Sequence, residues 1–589
     1  MNEMDSDNAV TYFAETDARN KRVRFGIKAE DRLRHVYSIG KTGMGKSTML
    51  ENMAIQDIQN GNGMAFLDPH GKTADLFLDY IPEHRMKDVI YFAPFDTDFP
   101  IAFNVMEDVG PDKRHLVVSG LMSAFEKFFG EESFSDRMQY ILQNTILALL
   151  EYPDATMLGI NKMLTDKTYR NAVVANVTDP SVKNYWVKEY AGYTERFAAE
   201  AIPAIQNKIG QFTSNPLIRN IIGQAKSTFD IRSVMDEKKI LIVNLSKGLV
   251  GEGNASLLGS MLVTKIYLAA MSRADKDPKE LKKLPNFYLY VDEFQSFANK
   301  SFTDILSEAR KYKLSLNITH QYIEQMAEEV RAAVFGNVGT MIAFRVGSFD
   351  AEILEKEFAP VFTMEDLVNL GFVQIYLKLM IDGVASQPFS ATTLPPIPKP
   401  DVSFRDKVME MSRKTYAHPK EDVERVIKEW HAPEQGPEIR NLKSDMSSEA
   451  LAKSGIRNER SEYRNDRPEP RREQKFEERK PREYSQIQPI QRPVETKREE
   501  PKKSLADAIA EAVKEKVEEP KKEVISLNVL KHGDTNKNKG PSPENQNALK
   551  EALEKVAREE KREEKKVEEP KKEKNEVPED VLRSILKGE

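Results

Sequence analysis

The residues best suited to carry chemistry form one glycine-rich run, GKTGMGKS, at 40–47. It has the spacing G-x-x-x-x-G-K-[ST], follows a predicted strand at 36–39 and precedes a predicted helix beginning at Ser47. Glycines let backbone N–H groups surround phosphates, and the helix dipole attracts them. We expect Lys46 to neutralise the β- and γ-phosphates of ATP and Ser47 to ligate Mg²⁺. The predicted nucleotide-binding residues are Gly40, Lys41, Thr42, Gly43, Met44, Gly45, Lys46, Ser47 and Thr48.

Two adjacent acids follow the apolar stretch in NFYLYVDEF at 286–294. A phosphate loop needs a carboxylate for its metal and a base for the attacking water. We therefore expect Asp292 to hold Mg²⁺ through its water shell and Glu293 to polarise the water. Solvated acids at a strand end are the ordinary alternative, and the loop at 40–47 makes that alternative the weaker one.

Three further positions are candidates of lower specificity. Gln321 ends the predicted strand in LNITHQY, where its amide can contact the γ-phosphate or the water. Arg310 is either an arginine finger reaching a neighbouring subunit's nucleotide or a surface arginine of a charged helix, and Arg345 is a second finger candidate. Asp68 also ends a predicted strand, where DPHG equally fits a simple turn.

The elements that must position these residues are short, continuously apolar runs separated by helical patterns. The runs are HVYSIG, GMAFLDPHG, DVIYFAP, KILIVNLSKG, NFYLYVDEF and LSLNITHQY, followed by GTMIAFRVG and GFVQIYLKLM. Continuous apolarity is typical of strands buried on both faces of a parallel sheet. Alternation of strands and helices predicts an α/β domain, here a RecA-like P-loop NTPase with a mainly parallel sheet.

One region contains only helical patterns and predicts an all-α insertion in the α/β domain. The predicted divisions are an N-terminal segment at 1–30, the ATPase domain at 31–110 and 226–400, the inserted all-α domain at 111–225, a short helical extension at 401–435 and a charged tail at 436–589.

The tail is rich in Glu, Lys, Arg and Pro, which predicts disorder because it cannot bury enough apolar surface. The string KVEEPKKE occurs twice, at 516–523 and 566–573, and short apolar islands lie at 525–530 and 581–586. The tail is either a solvated spacer or a flexible line of docking sites for a partner protein.

Composition excludes several classes of protein. The chain has no cysteine, so disulfides, thiolate zinc sites and a cysteine nucleophile are excluded. The net charge of -6 over 589 residues argues against a uniformly basic nucleic-acid binder, so contact with DNA must be local. No stretch reaches the roughly 20 apolar residues of a membrane span. The nearest stretch, at 257–271, is too short, so the sequence predicts no integral membrane segment.

Taken together, VRFGIKAEDRLRHVYSIGKTGMGKST, AFLDPHGK, YLYVDEFQSFA and EARKYKLSLNITHQY resemble the HerA/FtsK superfamily of hexameric motor ATPases. Over 22–398 the sequence is most similar to the conjugative coupling-protein (TraG/TraD-like) branch of type IV secretion. The resemblance implies that Asp292, Glu293, Arg310 and Gln321 act together. Two features differ from these relatives. The sequence predicts no transmembrane helices like those at the start of membrane-bound coupling proteins, and no winged-helix domain like that of FtsK-type translocases.

This resemblance implies an ATP-driven DNA translocase that hydrolyses ATP at the subunit interfaces of a homo-oligomeric ring, expected to be a hexamer, with DNA in a central pore. The resemblance implies a secretion-system partner. Because the sequence predicts no signal or membrane segment, we expect a cytoplasmic location, either free or peripheral at the inner face of the membrane. Two alternatives remain at this stage. One is a HerA-like repair motor that works with a nuclease, and the other is a nucleotide-gated scaffold that does not translocate.

Overall fold

The structure, a computed structural model, describes residues 9–17, 21–107 and 109–432. The predictions for the tail at 436–589 lie outside the described residues.

The strands belong to one large sheet and one small ribbon among the described residues. They are β1 Val10–Thr16, β2 Arg24–Lys28, β3 Val36–Ile39, β4 Gly63–Asp68, β5 Val89–Phe92, β6 Ile240–Asn244, β7 Phe287–Val291, β8 Leu314–His320, β9 Thr340–Ala343, β10 Gln374–Lys378, β11 Met380–Ile381, β12 Val384–Ala385 and β13 Phe389–Thr393. The large sheet has the order β2-β1-β13-β10-β9-β3-β8-β7-β4-β6-β5, and β11 pairs with β12.

The α-helices of the described residues connect and cover these strands. They are α1 Ala29–Arg32, α2 Lys46–Gln59, α3 Lys72–Phe77, α4 Arg114–Phe129, α5 Asp136–Leu150, α6 Gly159–Thr165, α7 Lys167–Asn176, α8 Pro180–Asn184, α9 Glu195–Thr213, α10 Pro216–Ile222, α11 Ile231–Asp236, α12 Lys247–Val250, α13 Glu252–Ser272, α14 Pro278–Lys283, α15 Ser301–Glu308, α16 Glu328–Asn337, α17 Ser348–Phe358, α18 Met364–Val368, α19 Arg405–Tyr416 and α20 Lys420–His431.

The sheet is mainly parallel, as the sequence predicts. The strands from β9 to β5 in the sheet order are parallel, and β10, β13, β1 and β2 extend the sheet with antiparallel pairs. Both faces are covered: in β4, Met64 and Phe66 join a core with α2 and α3, while Ala65 and Leu67 join a core with α13. This two-sided burial explains the continuous apolarity of the central strands.

The N-terminal residues correct the predicted boundary at 30. β1 and β2 are strands of the large sheet rather than a separate N-terminal segment, because β1 pairs with both β2 and β13. β1 has an irregular burial pattern with a register shift between Tyr12 and Ala14, so its sequence gives neither clean alternation nor a long apolar run.

The chain between β5 and β6 contains helices α4 to α11 and no strand among its described residues. Of these helices, α4 packs on α13, where Gly120 lies against Thr264 with no room for a Cβ atom. Within the predicted run KILIVNLSKG at 239–248, Ile240–Asn244 forms β6, and helix α11 precedes it.

The stretch Glu252–Asp275, which is α13 with the turn after it, has the length and apolarity of a membrane span, with mean hydropathy 1.4. It is the one such stretch among the described residues, and 72% of its apolar window is buried inside the protein. The run at 257–271 is therefore part of a longer helix that packs as a core element.

Candidate functional site

The glycine-rich loop joins β3 to α2 at the carboxyl edge of the parallel strands. Gly43 and Gly45 have φ angles of 79° and 111°, which side-chain-bearing residues rarely adopt. A Cβ atom at Gly45 would lie 3.2 Å from Val373 Cγ1. The glycines therefore allow a tight loop at the N-terminus of α2, and a helix N-terminus suits an anion.

Lys46 is the first residue of α2, and its side chain folds back over the loop. Its ammonium group donates to the carbonyl oxygens of Gly40 and Lys41, the latter at 3.0 Å. Burial lowers the pKa of Lys46 to about 8, while Asp292 and Glu293 raise it. The cation is thus held in the cradle where phosphate charge would stabilise it.

The remaining loop residues share this edge of the molecule. Lys41, Thr42 and Gly43 are exposed, and Met44 packs against the core on the α2 side. Thr48 lies in the first turn of α2, where helix N–H groups point toward a bound anion.

Asp292 directly follows β7 and meets the loop from across the sheet edge. The Ser47 hydroxyl donates to Asp292 Oδ2 at 2.9 Å, and the Thr319 hydroxyl donates to Oδ1. A hydroxyl and a carboxylate in contact are hard oxygen ligands, which Mg²⁺ prefers. The residues present therefore fit a magnesium ion held by Ser47 and Asp292.

Glu293 has a left-handed backbone, with φ 47° and ψ 56°. Its N–H group donates to Asp292 Oδ1 at 3.0 Å and to Thr319 Oγ1 at 3.2 Å. Non-glycine residues in this conformation are uncommon and cluster at functional sites. The conformation turns the side chain along the sheet edge, where it is 15% exposed.

Gln321 joins the phosphate loop to the second acid. Its Oε1 accepts from the Thr42 hydroxyl at 3.1 Å, and its Nε2 donates to Glu293 Oε1 at 2.5 Å. The sheet order explains this contact, because β8 lies between β3 and β7 and Gln321 follows β8 directly. The structure thus brings Lys46, Ser47, Asp292, Glu293 and Gln321 to one place.

The two arginines occupy opposite edges of the sheet. Arg345 follows β9, and its carbonyl oxygen accepts from Lys41 N at 2.8 Å, beside the loop. Arg310 is exposed and precedes β8, which spans about 20 Å at roughly 3.3 Å per residue. Burial lowers the pKa of His35, and the charge of nearby Arg310 lowers it further. Because His35 precedes β3, Arg310 lies near the end of β3 opposite the phosphate loop. The structure therefore does not bring Arg310 to its own phosphate loop.

Sequence reasoning missed three residues at this edge: His70, Lys247 and Thr319. The Nε2 atom of His70 lies 2.8 Å from Glu293 Oε1, and Lys247 Nζ lies 3.7 Å from Oε2. Each missed residue lies at the end of a parallel strand or shortly after it. A polar residue at such a position is the sequence signal by which it could have been found. Asp68 has the turn role, because it accepts from the N–H groups of His70 and Ala74.

The arrangement can bind a nucleoside triphosphate and activate water against its terminal phosphate. Magnesium held by Ser47 and Asp292 would supply charge neutralisation for the phosphates. Glu293 is placed to accept a proton from water, and Gln321 fixes that carboxylate relative to the loop. The fold and this site together define a P-loop NTPase.

Comparison with known proteins gives the family. The chain matches the family described as Type IV secretory system Conjugative DNA transfer over residues 7–336, more than half its length, and it belongs to that family. No curated protein gives a significant match.

Solved structures give weak overall similarity. The bacterial conjugative coupling protein TrwBdeltaN70, unbound, is 14% identical over 66% of this chain and 95% of its own, with TM-score 0.47. TrwB in complex with the GTP analogue GDPNP is 15% identical over 67% and 97%, with TM-score 0.48. VirB4 of Thermoanaerobacter pseudethanolicus is 12% identical over 66% and 97%, with TM-score 0.45.

Proposed function

We propose that this protein is an ATP-driven DNA translocase of the conjugative coupling type. The observation that carries the proposal is the connected set Thr42, Gln321 and Glu293, which links the phosphate loop to the residue that activates water. Such a link makes the position of the base depend on the loop, as a motor that couples nucleotide state to motion requires. Family membership supports DNA as the transported polymer.

The same set supports ATP and Mg²⁺ as the ligands. Lys46 supplies the positive charge for the phosphates, and Ser47 with Asp292 supplies the oxygen ligands for the metal. A terminal phosphate bound at the loop lies beside Glu293, whose action as a base on water is worth roughly 10²–10⁴ in rate.

We propose a homo-oligomeric ring, a hexamer by the resemblance, and the position of Arg310 supports this proposal. An arginine finger serves a neighbouring subunit's nucleotide, and Arg310 is exposed on the sheet edge away from its own loop. We therefore assign hydrolysis to subunit interfaces and DNA to the central pore, where local basic residues contact the backbone.

Family membership also favours a secretion-system partner over the nuclease partner of a repair motor. We place the ring in the cytoplasm, peripheral at the inner face of the membrane, where a transfer channel would receive DNA. The docking of a partner on the tail remains a sequence prediction outside the described residues.

The test compares ATP binding with ATP turnover, with and without DNA. Glu293→Gln should bind ATP with wild-type affinity and lose at least about a hundredfold in turnover, and Lys46→Ala should lose both. Glu83→Gln and Lys87→Ala, exposed positions outside the site, are matched controls and should behave as wild type.

DNA should raise turnover of the wild-type ring, and DNA affinity should fall steeply with salt because phosphate contacts release counterions. Wild-type turnover by Glu293→Gln would contradict the assigned base. Turnover that ignores every nucleic acid would contradict the translocase and favour the scaffold.

A further inference from the structure

Three loops converge on the Glu293 carboxylate. Gln321 comes from the loop after β8, His70 from the loop after β4, and Lys247 from the start of α12 after β6. The Nε2 atoms of Gln321 and His70 lie 2.5 Å and 2.8 Å from Oε1, whereas Lys247 Nζ lies 3.7 Å from Oε2. The two carboxylate oxygens therefore have different surroundings.

His70 lies in a turn that is held by hydrogen bonds to the Asp68 carboxylate. Asp68 is buried, and its Oδ1 accepts from His70 N at 2.8 Å while its Oδ2 accepts from Ala74 N at 2.9 Å. Gly71 has a φ angle of 83°, and a Cβ there would lie 2.6 Å from Asn244 Oδ1. The turn thus has one conformation, and it directs the imidazole toward Glu293.

The α12 loop is tied to the same turn. Lys247 N donates to the carbonyl oxygen of Pro69 at 2.9 Å, and Leu245 N donates to that of Asp68 at 2.9 Å. The Lys247 ammonium group lies between Glu252, at 3.3 Å, and Glu293. At 3.7 Å it is too far from Oε2 for a direct hydrogen bond, and a water can enter there.

We infer that His70 is a positioning residue for ATP hydrolysis: with Gln321 it occupies Oε1 of Glu293, so that Oε2 is the oxygen that receives the proton of the attacking water. The inference rests on the proposed function, because it assumes that Glu293 is the base. In the hydrolysis step, water forms the new P–O bond, the bond to the ADP oxygen breaks, and the proton passes to Oε2.

Stability does not account for the contact. The His70 side chain is 55% exposed, and exposed ion pairs contribute little to folding. A contact that contributes little to stability but comes from a fixed turn is instead suited to orienting the Glu293 carboxylate. Misplacement of a reacting group by about 1 Å costs roughly a hundredfold in rate.

The experiment measures kcat, KM for ATP and melting temperature for four full-length proteins: wild type, His70→Leu, His70→Gln and His84→Leu. His70→Leu, which keeps bulk and removes the polar atom, should lower kcat roughly ten- to a hundredfold with KM and melting temperature unchanged. His70→Gln places an amide near the Nε2 position and should recover most of the kcat. His84 is exposed in the short 3₁₀ helix Glu83–Asp88, and His84→Leu should match wild type.

Three results would overturn the inference. One is a His70→Leu kcat within twofold of wild type, the second is equal loss in His70→Leu and His70→Gln, and the third is a rise in KM with no change in kcat. Failure of the proposed function is distinguishable, because it would appear as turnover by Glu293→Gln whatever residue occupies position 70.

Discussion

Removal of one charge from the buried pair Arg32–Asp57 should destabilise the protein strongly. Arg32 Nη1 and Nη2 donate to Asp57 Oδ1 and Oδ2, both at 2.9 Å, and both side chains are almost fully buried. The Tyr290 hydroxyl also donates to Asp57, and the guanidinium group lies 3.7 Å from the Tyr288 ring centroid. The pair thus joins α1 to α2, which begins at the phosphate loop, and its two tyrosine contacts join it to β7, which precedes the two acids.

The magnitude follows from desolvation. Asp57→Asn keeps the volume but leaves the guanidinium without its counter-charge in a buried site, which costs about 3–5 kcal/mol of unfolding free energy. The triple variant Arg32→Met/Asp57→Leu/Tyr290→Phe replaces the buried network with apolar residues. It removes both charges, and it removes the Tyr290 hydroxyl, which would otherwise lose Asp57 as its acceptor. Such replacements of buried charge networks are often neutral, so the triple variant should recover most of the loss.

The assay is urea unfolding of the nucleotide-free protein. Variants are compared by the urea concentration at the midpoint of unfolding, with the m-value, the slope of unfolding free energy against urea concentration, unchanged. Asp422→Asn is a matched control, because Asp422 pairs with Arg425 at 2.7 Å on an exposed helix surface and should change stability by less than about 1 kcal/mol. Equal midpoints for Asp57→Asn and Asp422→Asn would refute the reasoning. So would a triple variant as unstable as Asp57→Asn alone.

Two other predictions concern the nucleotide site. Mixing Arg310→Ala with Lys46→Ala subunits should restore part of the turnover, because some mixed interfaces have one intact loop and one intact finger; no rescue in rings shown to be mixed would contradict action between subunits. For Lys46, burial lowers the pKa to about 8, so the ammonium is charged below that pH and neutral above it. ATP affinity should therefore be constant below about pH 8 and fall up to about tenfold per unit above it, and a flat dissociation constant up to about pH 9.5 would contradict this.

The parts of the fold that could be predicted are those with local signals. The loop at 40–47 carries its own spacing, and the central strands are apolar on both faces, so each is recognisable within about ten residues. β1 and β13 could not be found in this way, because their pairing joins residues such as Ala14 and Thr393 from opposite ends of the core. The parallel strands of the core were found, and the antiparallel margin was mostly missed.

The residues of the site also divide into those with a local sequence signal and those placed by long-range pairing of strands. Lys46, Ser47, Asp292 and Glu293 were predicted from motifs, and the contact of Gln321 with Glu293 follows once β8 lies between β3 and β7. His70 and Lys247 approach Glu293 only because β4 lies next to β7 in the sheet and β6 lies next to β4. That order is a property of long-range packing, and neither residue carries a motif of its own.

The pairing of β1 with β13 also determines when the sheet can be completed during synthesis. Ala14 pairs with Thr393, so a further 379 residues must be synthesised after Ala14 before the two can pair. At about 5–20 residues per second, translation takes roughly 20–75 s to cover that distance. Until then β1 has β2 as its sheet neighbour, and a lone two-stranded pair is marginally stable with an edge open to other chains. Throughout that interval we expect this exposed strand edge to be open to pairing with other chains.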